Sequence, residues 1–469
     1  MDSSEPSHSN LSSICNISQL ISENNWNEIK NQLEIFYRTY IVERESFSVL
    51  KEDVNVLLFA TDIINSKFCW YNSLETPLAD ILTDIMKILR IYVTKEYVVM
   101  YLIENDNFYR IFDNLIKCIF TKKNMQALYT KYLLQCLVNM LTFGESNNEI
   151  RLKLASAFYE HIRYAFIENY GCLYEVSAVL YNILLKDDIQ DISLLNAIIV
   201  NIGSSRSTVN EYLDFLFEKI YKLPLLWEVY DQLPMKSKLL VLGYLSGLIV
   251  ASETNVRHEL PYSLIKRLLD IFNKSGDVIF KLTQTSCAES SQELSYALQI
   301  LSVLSGDHHY LDSLQSNVDL LINACAILIN MNRLGKTSEH IFKPIQKLKD
   351  IQNPSEDIIN NPVFGFKGFL IRLIGNLSWK SKRIQDLARE AEVIPVILDC
   401  CNIDAKNPFI MQWVILAIHN LCEDNLQNQA IISGLTQQGV VYSEVLNEFG
   451  ISSYTEELLS SKINNFNFQ

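Results

Sequence analysis

The chain has 469 residues, of which 49% are hydrophobic, and it contains only 14 Gly and 10 Pro. This composition supplies a large core with few turn-forming residues, so it favours long helices. A net charge of −14 argues against a nucleic-acid binder, because affinity for nucleic acid comes mainly from Lys and Arg side chains that neutralise phosphates. The same charge opposes docking on anionic membranes.

The N-terminal segment is polar, and the stretch from Met1 to Asn10 is rich in Ser. It lacks the basic start and the apolar run of a signal peptide. Few large apolar residues are available there to compensate the entropy lost on ordering. We therefore predict that residues 1–24 are largely disordered and that the protein is cytoplasmic.

Residues 25–334 show apolar side chains at helical spacing almost throughout, beginning with the segment from Trp26 to Tyr40. The longest apolar run, Leu239 to Val250, is shorter than the roughly 18 residues that a membrane span needs. It predicts a buried helix and no membrane span. Within it, Gly243 and Gly247 predict the close approach of a neighbouring helix.

A polar pattern recurs at four predicted helix ends. Asn139, Asn201, Asn376 and Asn420 are each followed nine positions later by Asn or Gln, and then within three positions by an aliphatic residue. Asn376 and Asn420 are 44 residues apart, inside the roughly 40 to 47 residue period of armadillo and HEAT arrays. This recurrence predicts an all-α fold, an armadillo/HEAT-like α-solenoid superhelix.

The C-terminal third begins with a change in composition. Residues 335–360 contain Pro344 and Pro354 among Lys-rich and Asn-rich stretches, which predicts a long connection with at most one helix. Residues 361–450 then carry two helical blocks and a cap, and residues 451–469 form a polar tail. Asn407 and Pro408 predict the start of the second block's helix.

Several clusters of residues in this region resemble the ataxin-10 family, over about residues 361–450. In chain order the clusters are Asn361-Pro362, Phe366-Lys367-Gly368-Phe369, Ile394-Pro395-Val396-Ile397, Asn407-Pro408-Phe409, Gln412-Trp413-Val414-Ile415 and Asn420-Leu421-Cys422-Glu423-Asp424-Asn425. The resemblance implies an armadillo-type fold without known catalytic residues. It also implies a role in regulating cytokinesis, with partners that include cell-division signalling proteins.

Motifs that carry chemistry are missing from the sequence. The ten Cys include no C-x-x-C pair, and no phosphate-binding loop, nucleophile elbow or zinc-protease motif occurs. His308 and His309 beside Asp307 form the one cluster that resembles a ligand set, and we interpret it as a structural or solvated loop. We expect no catalysis, no cofactor and no metal.

The predicted partner-binding surface is a ridge in the C-terminal repeats, where conspicuous polar and aromatic side chains concentrate. Its residues are Arg372, Asn376, Trp379, Gln412, His419 and Asn420. In peptide-binding armadillo proteins a Trp stands four positions before the repeat Asn, and none of the four Asn here has one. Two interpretations of the Asn therefore stay open: they face a partner, or they satisfy backbone groups at helix ends.

The sequence as a whole predicts a protein-binding scaffold. Its alternative is a karyopherin-like or cargo-binding transport adaptor, which would use a negative groove to bind Lys/Arg-rich cargo. A metal carrier is a third class, and it would need clustered Cys, Met or His ligands. Whether the chain forms a homo-oligomer is left open.

Overall fold

The computed structural model describes residues 17–38, 51–70, 76–121, 127–143, 147–168, 171–204, 210–251, 260–275, 280, 288–337, 341–359, 361 and 363–435. Within these ranges the regular secondary structure is helical and no strand occurs. The chain forms two compact units, unit 1 up to Leu226 and unit 2 from Trp227 onward.

Unit 1 consists of helices that pack in two rows. Its described helices are α1 (Ile17–Ser22), α2 (Trp26–Phe36), α3 (Lys51–Trp70), α4 (Thr76–Tyr92), α5 (Glu96–Ile103), α6 (Asp106–Thr121), α7 (Leu128–Thr142), α8 (Asn148–Glu168), α9 (Leu173–Ile183), α10 (Ile192–Ser204) and α11 (Glu211–Tyr221), with α12 (Pro224–Glu228) at the boundary. In a front row, α2, α4, α7, α9 and α11 each pack against the next. In a back row, α1, α3, α6, α8 and α10 do the same.

Unit 2 repeats this arrangement. Its described helices are α13 (Met235–Ala251), α14 (Tyr262–Ser275), α15 (Ala288–Leu304), α16 (His308–Ser316), α17 (Val318–Gly335), α18 (Leu348–Gln352), α19 (Glu356–Ile359), α20 (Phe366–Ser378), α21 (Lys382–Glu390), α22 (Val393–Asp399), α23 (Ile410–Cys422) and α24 (Leu426–Gly434). The front row is α13, α15, α20 and α23, and α14, α17 and α22 lie behind it. Stacking of successive helical layers confirms the predicted armadillo/HEAT-like α-solenoid.

Short polar side chains fix where several helices begin. The side-chain oxygens of Asn210, Asn317 and Asn425 each accept a hydrogen bond from the backbone N–H three residues later, at the starts of α11, α17 and α24. Such a cap satisfies one of the N–H groups that the first helical turn leaves without a partner. We call the recurring pattern of an Asn followed nine positions later by Asn or Gln the Asn frame. Asn210 is the second polar residue of the frame that begins at Asn201, so in that case the frame marks the junction between two helices.

The core of the C-terminal repeats follows the predicted apolar stripes and extends beyond them. Phe366, Leu370 and Leu377 of α20 are fully buried, as their helical spacing predicts. Ile371, on the other side of the same helix, is equally buried because α20 lies between two front-row neighbours, α15 and α23. A helix in the middle of a solenoid is therefore apolar on more than one face.

The predicted domain boundaries stay predictions, and the helices fall somewhat differently from them. α1 lies inside the segment 1–24 that was expected to be largely disordered, and residues 1–16 lie outside the described part. The connection 335–360 holds two short helices, α18 and α19, where at most one was expected. Most of the predicted cap and the whole polar tail lie outside the described residues.

Three local predictions were wrong. A Cβ atom at Gly247 would meet nothing within 4 Å, so only Gly243, where a Cβ would lie 3.2 Å from the Tyr296 ring, permits a close approach. His308 and His309 begin α16, with Asp307 as its N-cap, and do not form a loop. Asn407 does not cap α23; its Oδ1 accepts the N–H of Gly368 from another helix, 3.1 Å away.

One described helix, α17, is long and apolar enough by length and composition alone to cross a membrane. It begins with Asp319 in its first turn and ends with Arg333 in its last. Residues along its length, including Leu320, Ala324 and Leu328, are buried against neighbouring helices. This packing is the one that a core helix of the repeat array requires.

Candidate protein-binding surfaces

Asn376 and Asn420 lie inside the front row of unit 2. The Nδ2 group of Asn376 in α20 donates to the Ser302 carbonyl of α15 at 3.2 Å and to Ser305 Oγ at 3.1 Å. In the same way, Asn420 Nδ2 in α23 donates to the Gly375 carbonyl of α20 at 3.0 Å. Both side chains are buried. Each Asn thus connects its helix to a carbonyl near the end of the preceding helix in the row, which favours the structural interpretation.

The two Asn of unit 1 make the same kind of bond in different places. Asn139 of α7 donates to the Arg90 carbonyl of α4 at 2.9 Å, in the front row. Asn201 of α10 donates to the Phe166 carbonyl of α8 at 3.5 Å, in the back row. The recurring frame therefore marks the end of a helix that bonds to its predecessor, without specifying the row to which that helix belongs.

Gln385 joins three helix ends in unit 2. Its Nε2 group donates to the Asn420 carbonyl at 2.9 Å and the Glu423 carbonyl at 3.1 Å, and lies 3.4 Å from the Ser378 carbonyl. Asn425 in turn donates to Gln385 Oε1 at 3.1 Å. The Asn420 and Glu423 carbonyls lie at the C-terminal end of α23, where the helix itself supplies no N–H partner. The second polar position of the frame is here an interior cross-link between repeats.

Arg372 and Trp379, also in the predicted ridge, are half-buried. The guanidinium of Arg372 lies over the Trp413 ring, 4.5 Å from its centroid, so it links α20 to α23. The Trp379 ring follows the end of α20 and lies 5.0 Å from the His308 ring, centroid to centroid. Both side chains contribute to contacts between helices while leaving part of their surface accessible.

Gln412 and His419, the remaining two ridge residues, are exposed on α23. They are seven positions apart and so share one face of that helix. His419 Nδ1 lies 3.2 Å from Asn420 Oδ1, which ties its ring to the buried amide. Of the six ridge residues, Gln412 and His419 are thus exposed, Arg372 and Trp379 are half-buried, and the two Asn are buried. Partner binding by this ridge stays a prediction.

Unit 1 carries a group of four exposed or half-buried rings that the sequence pattern did not reveal, and we call it the aromatic surface. It consists of Tyr174 and Tyr181 on α9 with Tyr212 and Phe215 on α11. Ring centroids lie 5.3 Å apart for Tyr174 and Tyr212 and for Tyr181 and Phe215. Tyr174 is 45% exposed and Phe215 is 41% exposed. The signal in the sequence was that α11 carries aromatic residues outside its buried stripe.

Potential metal ligands do not cluster in the described ranges, and two buried thiols are not activated. No three His, Cys, Asp or Glu side chains in these ranges could together hold a metal ion. Burial raises the pKa of the Cys325 thiol to about 12 and that of the Cys400 thiol to about 11, so neither is an activated nucleophile. These thiols behave as small core side chains.

Comparison with known proteins finds a family match in the C-terminal repeats. Residues 366–463 match the family model described as spinocerebellar ataxia type 10 protein domain. The C-terminal repeats are therefore similar to the ataxin-10 family. The predicted resemblance is confirmed there, and the matching region extends 13 residues past the predicted limit at residue 450.

Curated ataxin-10 proteins show similarity over stretches of different lengths. Ataxin-10 of Bos taurus is 31% identical over 227 residues, which is 47% of this chain and 46% of that protein. The ataxin-10 homolog of Dictyostelium discoideum is 46% identical over 87 residues, covering 19% of this chain and 14% of that protein. The matched part thus spans less than half the length of these relatives.

Solved structures show only a distant likeness. An engineered protein is 12% identical, with a TM-score of 0.31, and the match covers 88% of this chain and 99% of that one. SYS-1 is 11% identical, with a TM-score of 0.33, and the match covers 92% of this chain and 68% of that one. The fold assignment therefore rests on the helical rows described above.

Proposed function

We propose that this protein is a non-catalytic, cytoplasmic scaffold that binds other proteins and regulates cytokinesis. The observation that carries the proposal is the aromatic surface on α9 and α11. Aromatic side chains are enriched at protein interfaces, where they bury a large area at a small entropic cost. Four rings side by side on a rigid helical row supply such an anchor without any catalytic group.

The cellular role comes from the resemblance of the C-terminal repeats to ataxin-10. We infer that the partners include cell-division signalling proteins, as that resemblance implies. Solenoid folds present extended surfaces to which several proteins can bind. The aromatic surface lies in unit 1 and the ataxin-10 repeats lie in unit 2, so this scaffold has two separate regions for contact with partners.

Proximity labelling in dividing cells tests the proposal. The variant Tyr212→Ser with Phe215→Ser removes half of the aromatic surface, and Tyr262→Ser removes one highly exposed ring of unit 2 as a matched control. The amount of labelled cell-division proteins should fall about tenfold or more for the double variant, because interface anchors carry most of the binding energy. An unchanged set of labelled proteins, with both variants folded by circular dichroism, contradicts the proposal.

The predicted ridge of unit 2 is tested in parallel with Gln412→Ala and His419→Ala, since both side chains are exposed. The buried Asn376 and Asn420 are unsuitable for this purpose, because their loss would disturb the helix contacts. Loss of partners only for the ridge variant would move the binding region to unit 2. Light scattering on the purified variants measures whether the protein self-associates.

The transport-adaptor alternative makes a different prediction. It requires capture of Lys/Arg-rich peptides that weakens steeply as salt is raised, since such binding is mainly electrostatic. A scaffold anchored by aromatic rings should lose little affinity between low and physiological salt. A salt-titrated pulldown with basic peptides separates the two functions.

A further inference from the structure

Unit 2 contains an open cavity of about 390 Å³ that the predicted ridge does not include. It lies where the end of α17, the segment 341–347, the start of α20 and the residues after α22 meet. The side chains that matter for its charge are Lys336, Lys343, Lys367, Asp399 and Asp404, and the amide of Gln346 also lines it.

Lys367, the second residue of α20, is the unusual member of this group. It is only 5% exposed, yet it forms no hydrogen bond or ion pair with any residue of the described ranges. The stem of this side chain is buried, whereas its Nζ atom keeps contact with the solvent of the open cavity. The Lys367 ammonium is therefore available to bind an anion at the wall of the cavity.

The two carboxylates that line the cavity are already engaged. Asp399 Oδ2 accepts hydrogen bonds from Lys336 Nζ and Asn332 Nδ2, both at 2.5 Å. Burial alone would raise the pKa of Asp399, but these donors outweigh it and hold the pKa below its usual value. Asp399 is thus an ionised carboxylate whose charge is compensated chiefly by Lys336 and, at longer range, by Lys367.

Asp404 is engaged by neutral donors. Its Oδ1 atom accepts the backbone N–H of Ile345 at 2.9 Å, and its Oδ2 atom accepts Asn407 Nδ2 at 2.8 Å. These bonds hold the segment 341–347 against the residues after α22. The position of Asp404 is therefore fixed by its structural role, and it does not reach Lys367 within ion-pair distance.

Two further amines add positive charge. Lys406 Nζ donates to the carbonyls of Ile341 at 2.6 Å and Lys343 at 2.9 Å, and its pKa is lowered by burial and, in smaller part, by Lys367. The Lys343 side chain is exposed at the rim of the cavity. Four amines thus surround two engaged carboxylates, which makes this region positive within an acidic protein.

We propose that this cavity binds a phosphate group, with the Lys367 ammonium in its wall as the counter-charge and Lys343 at its entrance. Lys is an effective phosphate ligand as a compact point charge, and the amide of Gln346 can donate to a phosphate oxygen. The cavity is larger than one phosphate ion. It has room for a phosphomonoester, either on a phosphorylated side chain of a partner protein or on a small molecule.

Isothermal titration calorimetry of the full chain with inorganic phosphate tests this site, with chloride at equal ionic strength as the reference. Wild type should show saturable binding with one site per chain. Lys367→Met should weaken the binding about tenfold or more, because it removes the charge while keeping the length of the side chain. Lys380→Met, an exposed Lys of the same unit, should leave it unchanged.

Lys343→Gln provides a second variant, since its side chain is exposed and its loss does not disturb the core. It should weaken phosphate binding several-fold. Absence of saturable binding to wild type, or binding that neither Lys367→Met nor Lys343→Gln weakens, overturns the proposal. Equal losses for Lys380→Met would indicate diffuse electrostatics and also overturn it.

The source of the phosphate group is distinguished by a second titration. O-phosphoserine and a phosphoserine peptide are compared with the unphosphorylated peptide. Tighter binding of the phosphopeptide assigns the site to a modified partner, and tighter binding of free phosphate assigns it to a small molecule. Because the probe is phosphate and not a protein, this test stands whether or not the scaffold proposal holds.

Discussion

The helices α20 and α23 carry the same pattern 44 residues apart, yet they differ in what surrounds them. Ile371 in α20 is fully buried, whereas Ile415, its counterpart in α23, is 66% exposed. Gln385, which follows α20, bonds to the end of α23. Its counterpart Gln429 is exposed, and among the described residues its side chain bonds only to the Cys422 carbonyl, at 2.9 Å.

The difference arises from position in the array. α20 has a front-row neighbour on each side, α15 and α23, whereas no described helix follows α23 in that row. A repeat supplies one apolar face to its predecessor and another to its successor, so the same residue is core or surface according to what comes next. Equivalent substitutions in the two repeats should therefore have unequal effects.

The largest difference is expected for the two isoleucines. Ile371→Ala should destabilise the protein by about 2–5 kcal/mol, because it removes buried methyl groups and leaves a cavity between α20 and α23. Ile415→Ala should change the stability by less than about 0.5 kcal/mol. Urea denaturation followed by circular dichroism measures both. A cost for Ile415→Ala that approaches that of Ile371→Ala would mean that the α23 face is covered in solution.

The two glutamines sharpen the same comparison. Gln385→Ala should cost about 2–3 kcal/mol, since it leaves the Asn420 and Glu423 carbonyls without their donor. Gln429→Ala is the matched control, with an expected cost below about 0.5 kcal/mol because the side chain is exposed. Hydrogen exchange of the last turn of α23 gives a local readout. Equal exchange in both variants would show that the Gln385 bonds contribute little.

Much of the fold could be predicted from the sequence because helices are local. The spacing of apolar residues marked α20 and α23, and the Asn frame marked helix ends correctly in both units. The frame did not reveal that Asn201 lies in the back row and Asn139 in the front row. A helix end followed by a turn and a new helix start has the same sequence pattern in either row. The row to which a helix belongs is therefore decided by tertiary packing.

The candidate sites were harder to predict because distant segments build them. Asn376 and Asn420 were named, but their burial depends on carbonyls that lie 45 to 74 residues earlier in the chain. Lys367 was noticed only as part of a family-like cluster. Its cavity exists because the segment 341–347 folds against the residues after α22, as in the bond from the Ala405 N–H to the Ile345 carbonyl at 2.8 Å.

Glycine substitutions test how closely the front-row helices approach. A Cβ atom at Gly375 would lie 2.8 Å from Ala417 Cα, so Gly375→Ala should push α20 from α23 and cost about 1–3 kcal/mol. Gly247→Ala, in α13, meets open space and should stabilise its helix by up to about 1 kcal/mol. Opposite signs in urea denaturation are expected. A stabilising Gly375→Ala would show that the two helices can separate freely.

The smallest expected effect is on how stability depends on acidic pH, and it again distinguishes the two repeats. Hydrogen bonds, chiefly from Arg389 and also from Asn425 and Lys382, outweigh burial and lower the pKa of Asp386, whereas the counterpart 44 residues later is Ala430. A lowered carboxyl pKa adds stability that is present above the unfolded value of about 3.9 and is lost as the pH falls through the folded value. Asp386→Asn should therefore be less stable than wild type near neutral pH, and the gap in stability should close as the pH falls through the lowered pKa of the folded state. The gap is small because the carboxylate is partly exposed. A gap that persists at low pH, in urea denaturation at matched ionic strength, would mean that the Asp386 contacts act through shape and not through charge.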